Sequence, residues 1–268
     1  MRIEQLLLVA CAMAGGSAAA CVEQSPVSPA APTLVVHAVL DASARDQYVI
    51  VQYTDGLVSH QQEVTGAVVS ITAPDGQVLT GTETRDTTLF ATQRYMPRVG
   101  TVYRVALGES GVRLVAGGTY HLRVVAFNNG VEVTGTTTIP GLPGAVSTTP
   151  QPREFLRARD TLALAWPRVA LARSYEVSVA TSEGGAYAAF ADTAMSLPGT
   201  LFGERAGAVF VAGLRHEVAV SAVDINYYDY FRRGSNNLTG LGPLNHLTGG
   251  VGLFGSMARV ETLLLDVR

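Results

Sequence analysis

The stretch Thr119–Ile139, TYHLRVVAFNNGVEVTGTTTI, decides the fold. In its first half Tyr120, Leu122 and Val124 alternate with His121, Arg123 and Val125. A period of two places one set on a core face and the other in water. Asn128-Asn129-Gly130 then offers the residues of a tight hairpin turn, and a second β-branched run, Val131–Ile139, leads the chain back.

The same grammar extends upstream. Thr33–Leu40, Gln47–Thr54, Gly66–Ala73 and Thr101–Gly108 are rich in β-branched and aromatic residues, and turn signals at Pro74–Gln77, Gly108–Ser110 and Ala116–Gly118 separate the runs. This spacing is that of an all-β sandwich and not of βαβ units. It predicts an N-terminal β-sandwich domain over 33–140. Ile139–Pro152 is rich in Pro, Gly, Ser and Thr and reads as a linker. A second domain, 153–268, follows. Its opening, Asp160–Ala180, resembles the early strands of a fibronectin type III domain through Trp166, Pro167 and Tyr175. Val209–Asp224 resembles the later strands of that domain, with His216 where its pattern has Tyr. Ala258–Val267 reads as a closing strand, and Pro152–Asp160 as one or two helical turns at most. The expected architecture is two Ig-like or fibronectin type III-like sandwiches in tandem.

Composition narrows the function classes. Of 268 residues 47% are apolar and 15% charged, so the chain buries a core. The formal net charge is -3, every basic residue other than His is Arg, and no basic cluster exists beyond Arg232–Arg233. A nucleic-acid partner is therefore not expected, because phosphate binding needs a concentrated basic surface. The two cysteines, Cys11 and Cys21, both precede the body of the chain, which leaves no thiolate zinc site or disulfide framework there.

The first 21 residues read as an export signal: Arg2, an apolar run from Leu6 to Ala20, then Cys21. The end resembles a bacterial lipobox, which implies residues 1–20 as signal peptide and Cys21 as the lipidated residue. Residues 21–32 form a Pro- and Ser-rich tether. Other readings stand beside this one: cleavage after Ala18-Ala19-Ala20 to give a secreted or periplasmic protein, and lipidation at Cys11 or a different start codon. The leading expectation is an outer membrane lipoprotein of a bacterial cell envelope, held to the membrane by its N-terminal lipid.

Near the C-terminus, Asp224–Ser256 (DINYYDYFRRGSNNLTGLGPLNHLTGGVGLFGS) reads as one long loop over 224–256. Asp224, Tyr227, Tyr228, Asp229, Tyr230, Arg232 and Arg233 form the candidate ligand or partner surface. Tyrosine rings stack on the apolar faces of sugars or peptides, and Asp and Arg supply directional hydrogen bonds. The competing reading has these aromatics packing over the sandwich end, with Leu253 and Phe254 anchoring the loop and the glycines allowing close backbone approach. No catalytic residue, metal ligand or cofactor is assigned. The five histidines lack metal-ligand spacing, no G-x-S-x-G or phosphate loop occurs, and the Asp41/Asp46 and Asp224/Asp229 pairs lack a calcium-loop pattern. An enzyme would need a pocket joining a carboxylate to a histidine, for example Asp224 to His246.

Three stretches, PTLVVHAVL, TGAVVSITAPDGQ with LVAGGTYHLRVVA, and NHLTGGVGLFGS, together resemble an uncharacterised family of lipoproteins of Bacteroidota and related phyla. The resemblance implies export and a role in binding or assembly, beside an outer-membrane transporter or surface complex. It implies no reaction. A glycan- or peptide-binding surface protein using the 224–256 loop is the first alternative, and a hydrolase with an unrecognised site the second.

Overall fold

The computed structural model describes residues 32–55, 58–85, 100–127, 130–181, 187–203, 207–232, 244–259 and 262–268. Ala31–Arg268 form one compact unit. Its strands are β1 (Thr33–Asp41), β2 (Asp46–Asp55), β3 (Val58–Glu63), β4 (Val68–Thr72), β5 (Val78–Thr80), β6 (Thr82–Thr84), β7 (Thr101–Ala106), β8 (Thr119–Val125) and β9 (Glu132–Thr138). After these come β10 (Ser147–Thr149), β11 (Thr161–Ala165), β12 (Ser174–Ala180), β13 (Tyr187–Ala191), β14 (Ala194–Pro198), β15 (Arg215–Val223), β16 (Val251–Arg259) and β17 (Leu263–Asp266). A four-residue helical turn, Leu107–Ser110, follows β7, and a longer helix, α1 (Ile225–Phe231), connects to the end of β15 through Asp224.

Among the described residues these strands form three sheets. The largest has ten strands and follows the path β13-β12-β15-β16-β1-β2-β7-β6, with β3 added to β2 and β17 to β15. A four-stranded sheet runs β5-β4-β8-β9, and a three-stranded one β10-β11-β14. The fold is nearly all β, as the alternating runs predict. In β8, Tyr120, Leu122 and Val124 are buried while His121 and Arg123 face water.

The apolar interior divides along the chain. Leu34, Val36, Val49, Val51 and Tyr103 of the long sheet meet Ile71, Tyr120, Leu122 and Val133 of the four-stranded sheet. Tyr175, Val177, Val218 and Val220 of the long sheet meet Leu162, Leu164 and Leu197 of the three-stranded sheet, with Trp166 beside them. Trp166 and Tyr175 sit 5.6 Å apart between ring centroids, so two of the three residues of the expected fibronectin-like pattern are core residues, while Pro167 is exposed. His216 is fully buried, and its Nε2 accepts the Val211 N–H at 3.0 Å.

One strand joins these two layered regions. β16 runs parallel to β1 from Val35↔Val251 to Asp41↔Met257, and its last residues pair antiparallel with β15 at Ser221, Ala222 and Val223. Glycines allow this approach. Gly252 has φ +128°, and a Cβ there would lie 2.0 Å from the Val36 carbonyl oxygen. Gly249 has φ +82°, and a Cβ would lie 2.1 Å from the Glu132 carbonyl oxygen. Only glycine fits such contacts with a neighbouring backbone.

Two expectations are corrected here. The stretch 224–256 is not one structureless loop: it opens with α1 and ends in β16, with residues 233–243 outside the described set. Two glycines in Val251–Ser256, Gly252 and Gly255, hide the strand from a propensity reading, because they are there for close packing and not for a turn. The closing strand expected at 258–267 is two strands, since β15 pairs β16 through Ser221–Val223 and β17 through Arg215–Val218. Near 152–160 a short 3-10 turn forms at Pro152–Glu154.

Candidate functional site

Helix α1 begins where Asp224 can cap it. Asp224 has extended backbone, and its Oδ1 accepts the Tyr227 N–H at 2.9 Å. The same oxygen accepts the Ser256 N–H at 3.1 Å, and Oδ2 accepts from the Thr137 hydroxyl at 2.7 Å. One carboxylate thus ties α1 to β16 and β9. Burial pushes the Asp224 carboxyl above its ordinary range, and the hydrogen bonds from Thr137, Tyr227 and Ser256 oppose that shift. Asn226 repeats the pattern: its Nδ2 donates to the Thr136 carbonyl at 2.7 Å and to the Phe254 carbonyl at 2.8 Å. Tyr227 is buried, and its hydroxyl donates to Glu176 on β12 at 2.7 Å.

The apolar side of this segment is equally committed. Tyr227 packs with Val223, Leu253 and Met257, and Val39, Phe190, Tyr228, Tyr230 and Phe231 close around them. Tyr228 is half-buried, edge-on to Phe190 at 5.0 Å, with the guanidinium groups of Arg173 and Arg232 at 4.9 and 5.3 Å from its ring centroid. Such cation–π contacts contribute roughly 0.5–1 kcal/mol each at exposed sites. Tyr230 is half-buried and meets His37 edge-on at 5.5 Å. Burial lowers His37 to about 4, so the ring is neutral at pH 7.

Of the residues named from sequence, then, Asp224, Tyr227 and Asp229 are buried, Tyr228 and Tyr230 half-buried, and Arg232 exposed. Cys21 and Arg233 lie outside the described residues. The segment does not present a row of exposed tyrosines; its side chains hold β9, β12 and β16 together.

The histidine–carboxylate contact that sequence reasoning sought exists, but with Asp229 in place of Asp224. Asp229 lies 3.1 Å from His246 Nε2 through Oδ2 and 3.1 Å from Arg232 through Oδ1. His246 lines an open groove of about 510 Å³ on the outer face of the four-stranded sheet. Thr72 of β4, His121 and Arg123 of β8, and Thr134 and Thr136 of β9 form its floor, with Asn226, His246 and Thr248 along one side. His121 Nδ1 lies 3.1 Å from the Thr136 hydroxyl, and Arg123 makes two hydrogen bonds, 3.0 and 2.9 Å, to the Glu132 carboxylate. Thr134 and Thr248 exchange backbone hydrogen bonds at 3.0 and 2.9 Å, which seats the 244–248 segment against β9.

Sequence reasoning missed this groove as a unit. Its signal was present in part: His121 and Arg123 are the wet-face positions of the stretch that decides the fold. Their neighbours come from β4, β9 and a segment more than a hundred residues downstream, which no spacing rule connects. Among the described residues no group of three or more His, Cys, Asp or Glu side chains is placed to hold a metal ion. No helix among them is long and apolar enough to cross a membrane.

Fold and site together define an almost wholly β protein with a riveted strand–helix junction and a polar groove beside it. Residues 22–182 match the domain of unknown function DUF4249, and the chain belongs to that family. This agrees with the resemblance to an uncharacterised family. No curated protein matches the chain. Among solved structures it is similar to a DUF4785 family protein from Legionella pneumophila subsp. pneumophila str. Philadelphia 1. That similarity is at 10% identity, over 69% of this chain and 51% of that one, with a TM-score of 0.26, and it carries no argument about fold or function.

Proposed function

We propose that this is an exported, lipid-anchored, non-enzymatic protein of a bacterial cell envelope that acts in binding or assembly as an accessory to an outer-membrane transporter or surface complex. The observation that carries the reading is the use made of the 224–232 segment. Asp224, Asn226 and Tyr227 are committed to internal hydrogen bonds across three strands, which makes a stiff scaffold. An active site needs such groups turned toward a substrate. Location rests on the sequence of the N-terminus: the apolar run, Cys21, and the 21–32 tether. Lipid at Cys21 would hold the protein firmly, at ~0.8 kcal/mol per buried methylene. We read the two layered regions, 33–140 and 153–268, as tandem sandwiches of Ig-like and fibronectin type III-like descent, the second contributing β16 to the first.

In-cell crosslinking in the native host, followed by purification from membranes and identification of partners by mass spectrometry, tests this, with Cys21→Ser as control. Recovery of one outer-membrane transporter, lost in the control, is the expected result. An absence of partners together with a soluble protein in both strains contradicts the anchor and the accessory role together.

A second reading, binding of a glycan or peptide, is favoured by the polar groove beside α1. In this reading the binding surface moves from the tyrosines to the outer face of β4, β8 and β9.

A further inference from the structure

The groove lined by His121, Thr134, Thr136, His246 and Thr248 carries an inference about ligand class; it deepens the binding reading and is independent of the lipid anchor. We propose that this groove binds a neutral, polyhydroxylated ligand, a glycan, with His121 and His246 as principal contacts and Asp229 as the residue that positions His246.

The charge of the lining comes first. Arg123 is neutralised by a two-point pair with Glu132, and Arg232, outside the lining, pairs with Asp229. Neither arginine is left to attract an anion, so an acidic ligand gains little here. Apart from Leu122, Gly135 and Asn226, whose amide donates to the Thr136 and Phe254 carbonyls, the remaining lining groups are threonines and histidines. Threonine hydroxyls both donate and accept, and each imidazole offers two ring nitrogens as hydrogen-bonding groups. Vicinal hydroxyls of a sugar also donate and accept, and they match such a surface without burying charge.

The geometry gives those groups fixed places. His121 is held by the Thr136 hydroxyl at Nδ1, which leaves Nε2 for a ligand. His246 is held by Asp229 at Nε2, which leaves Nδ1. A carboxylate on one ring nitrogen fixes the tautomer and orientation of the other, which is what a directional contact needs. The floor is a sheet face, and sites built on strands hold side chains more firmly than sites built on loops. The groove, about 510 Å³, is open, so a ligand would lie along the sheet face without being enclosed.

The same geometry disfavours an extended peptide. A peptide adds to a sheet by pairing with the backbone of an edge strand. β9 is the edge beside this groove, and Thr134 already exchanges both backbone hydrogen bonds with Thr248.

The test uses the full chain carrying Cys21→Ser, so that anchoring plays no part, on an array of neutral, sialylated and sulfated oligosaccharides with a set of unstructured decapeptides alongside. Binding to at least one neutral oligosaccharide is expected, unchanged by raising salt about tenfold. His121→Ala and His246→Ala should each weaken it about tenfold, the loss of one or two net hydrogen bonds. Asp229→Asn keeps the shape but changes the partner of His246, so it should weaken binding less than His246→Ala and alter its pH profile. Thr161→Ala, on the exposed face of β11, should leave binding unchanged. Binding confined to charged glycans or peptides, no glycan binding at all, or affinity indifferent to His121→Ala and His246→Ala in folded variants would each overturn the proposal. The anchored reading fails separately, on the location of the protein in cells.

Discussion

Gly252→Ala is the most demanding perturbation of the fold, because it strikes the strand that joins its two layered regions. The residue has φ +128°, and an added Cβ would lie 2.0 Å from the Val36 carbonyl oxygen, 2.9 Å from its carbonyl carbon and 3.0 Å from its nitrogen. All three are backbone atoms in the centre of β1, so no side chain can swing away. The strained φ alone costs about 1–3 kcal/mol. Relieving the overlap forces β16 away from β1, which adds roughly 1–3 kcal/mol as an overpacking change. The expected total is about 4 kcal/mol, a large share of the ~5–15 kcal/mol that holds a typical domain. Gly76→Ala is the matched control. Its φ is +86°, and a Cβ there meets nothing within 4 Å, so only the conformational penalty of about 1–2 kcal/mol applies. Urea unfolding of both variants, followed by tryptophan fluorescence and circular dichroism, gives the difference. A gap of ~2–3 kcal/mol supports the parallel β1–β16 pairing. If the two variants fall within ~0.5 kcal/mol of each other, the close approach at Val36 is wrong, and with it the role of β16.

Three further outcomes follow from the junction. Asp224→Ala removes a helix cap and leaves the Thr137 hydroxyl and the Ser256 N–H without their acceptor; a loss of about 3 kcal/mol is expected by urea titration, and a loss under ~1 kcal/mol would contradict its role as a tie between strands. Tyr227→Phe removes the hydrogen bond to buried Glu176 and should cost about 1–2 kcal/mol, whereas Tyr228→Phe, which keeps its ring contacts, should be nearly neutral in the same assay. The third concerns pH. Unfolded His37 takes a proton near 6.5 and the folded residue only near about 4, so the folded state binds fewer protons between those values. Its contribution is complete above pH 6.5 and falls as pH drops toward about 4, by about 3 kcal/mol in all. Unfolding midpoints from pH 7.5 to 4.5 should therefore fall less steeply in His37→Gln than in the parent, and identical slopes would contradict the burial of a neutral ring.

Much of the fold was legible because alternation is a local signal. β8 shows it most cleanly: a face of Tyr120, Leu122 and Val124 with His121 and Arg123 opposite is visible in seven residues and holds in three dimensions. Trp166 and Tyr175 were legible for a similar reason, since bulky aromatics flanking a strand turn go to the core. β16 was not legible, because Gly252 and Gly255 lower strand propensity while being the residues that allow its contact with β1. That contact lies over two hundred positions away along the chain. Helix α1 has few strong helix formers; the Asp224 cap and the Asn226 and Tyr227 tethers hold it in place, and those are tertiary contacts. Of the candidate residues, Asp224 and Tyr227 are buried and tie strands together. Asp229 and His246 meet seventeen positions apart, and the groove that His246 lines draws on three strands, so no local spacing singles out Asp229 over Asp224 as the partner of His246.

The most direct test of the central claim, an envelope protein held by lipid on Cys21, is mass spectrometry of the N-terminal peptide from the native host, after separating membrane and soluble fractions. The account predicts a membrane-bound protein whose first residue is Cys21 carrying a diacylglyceryl group and an acylated amine. An N-terminus at or before Cys21 without lipid, recovered from the soluble fraction, would contradict it.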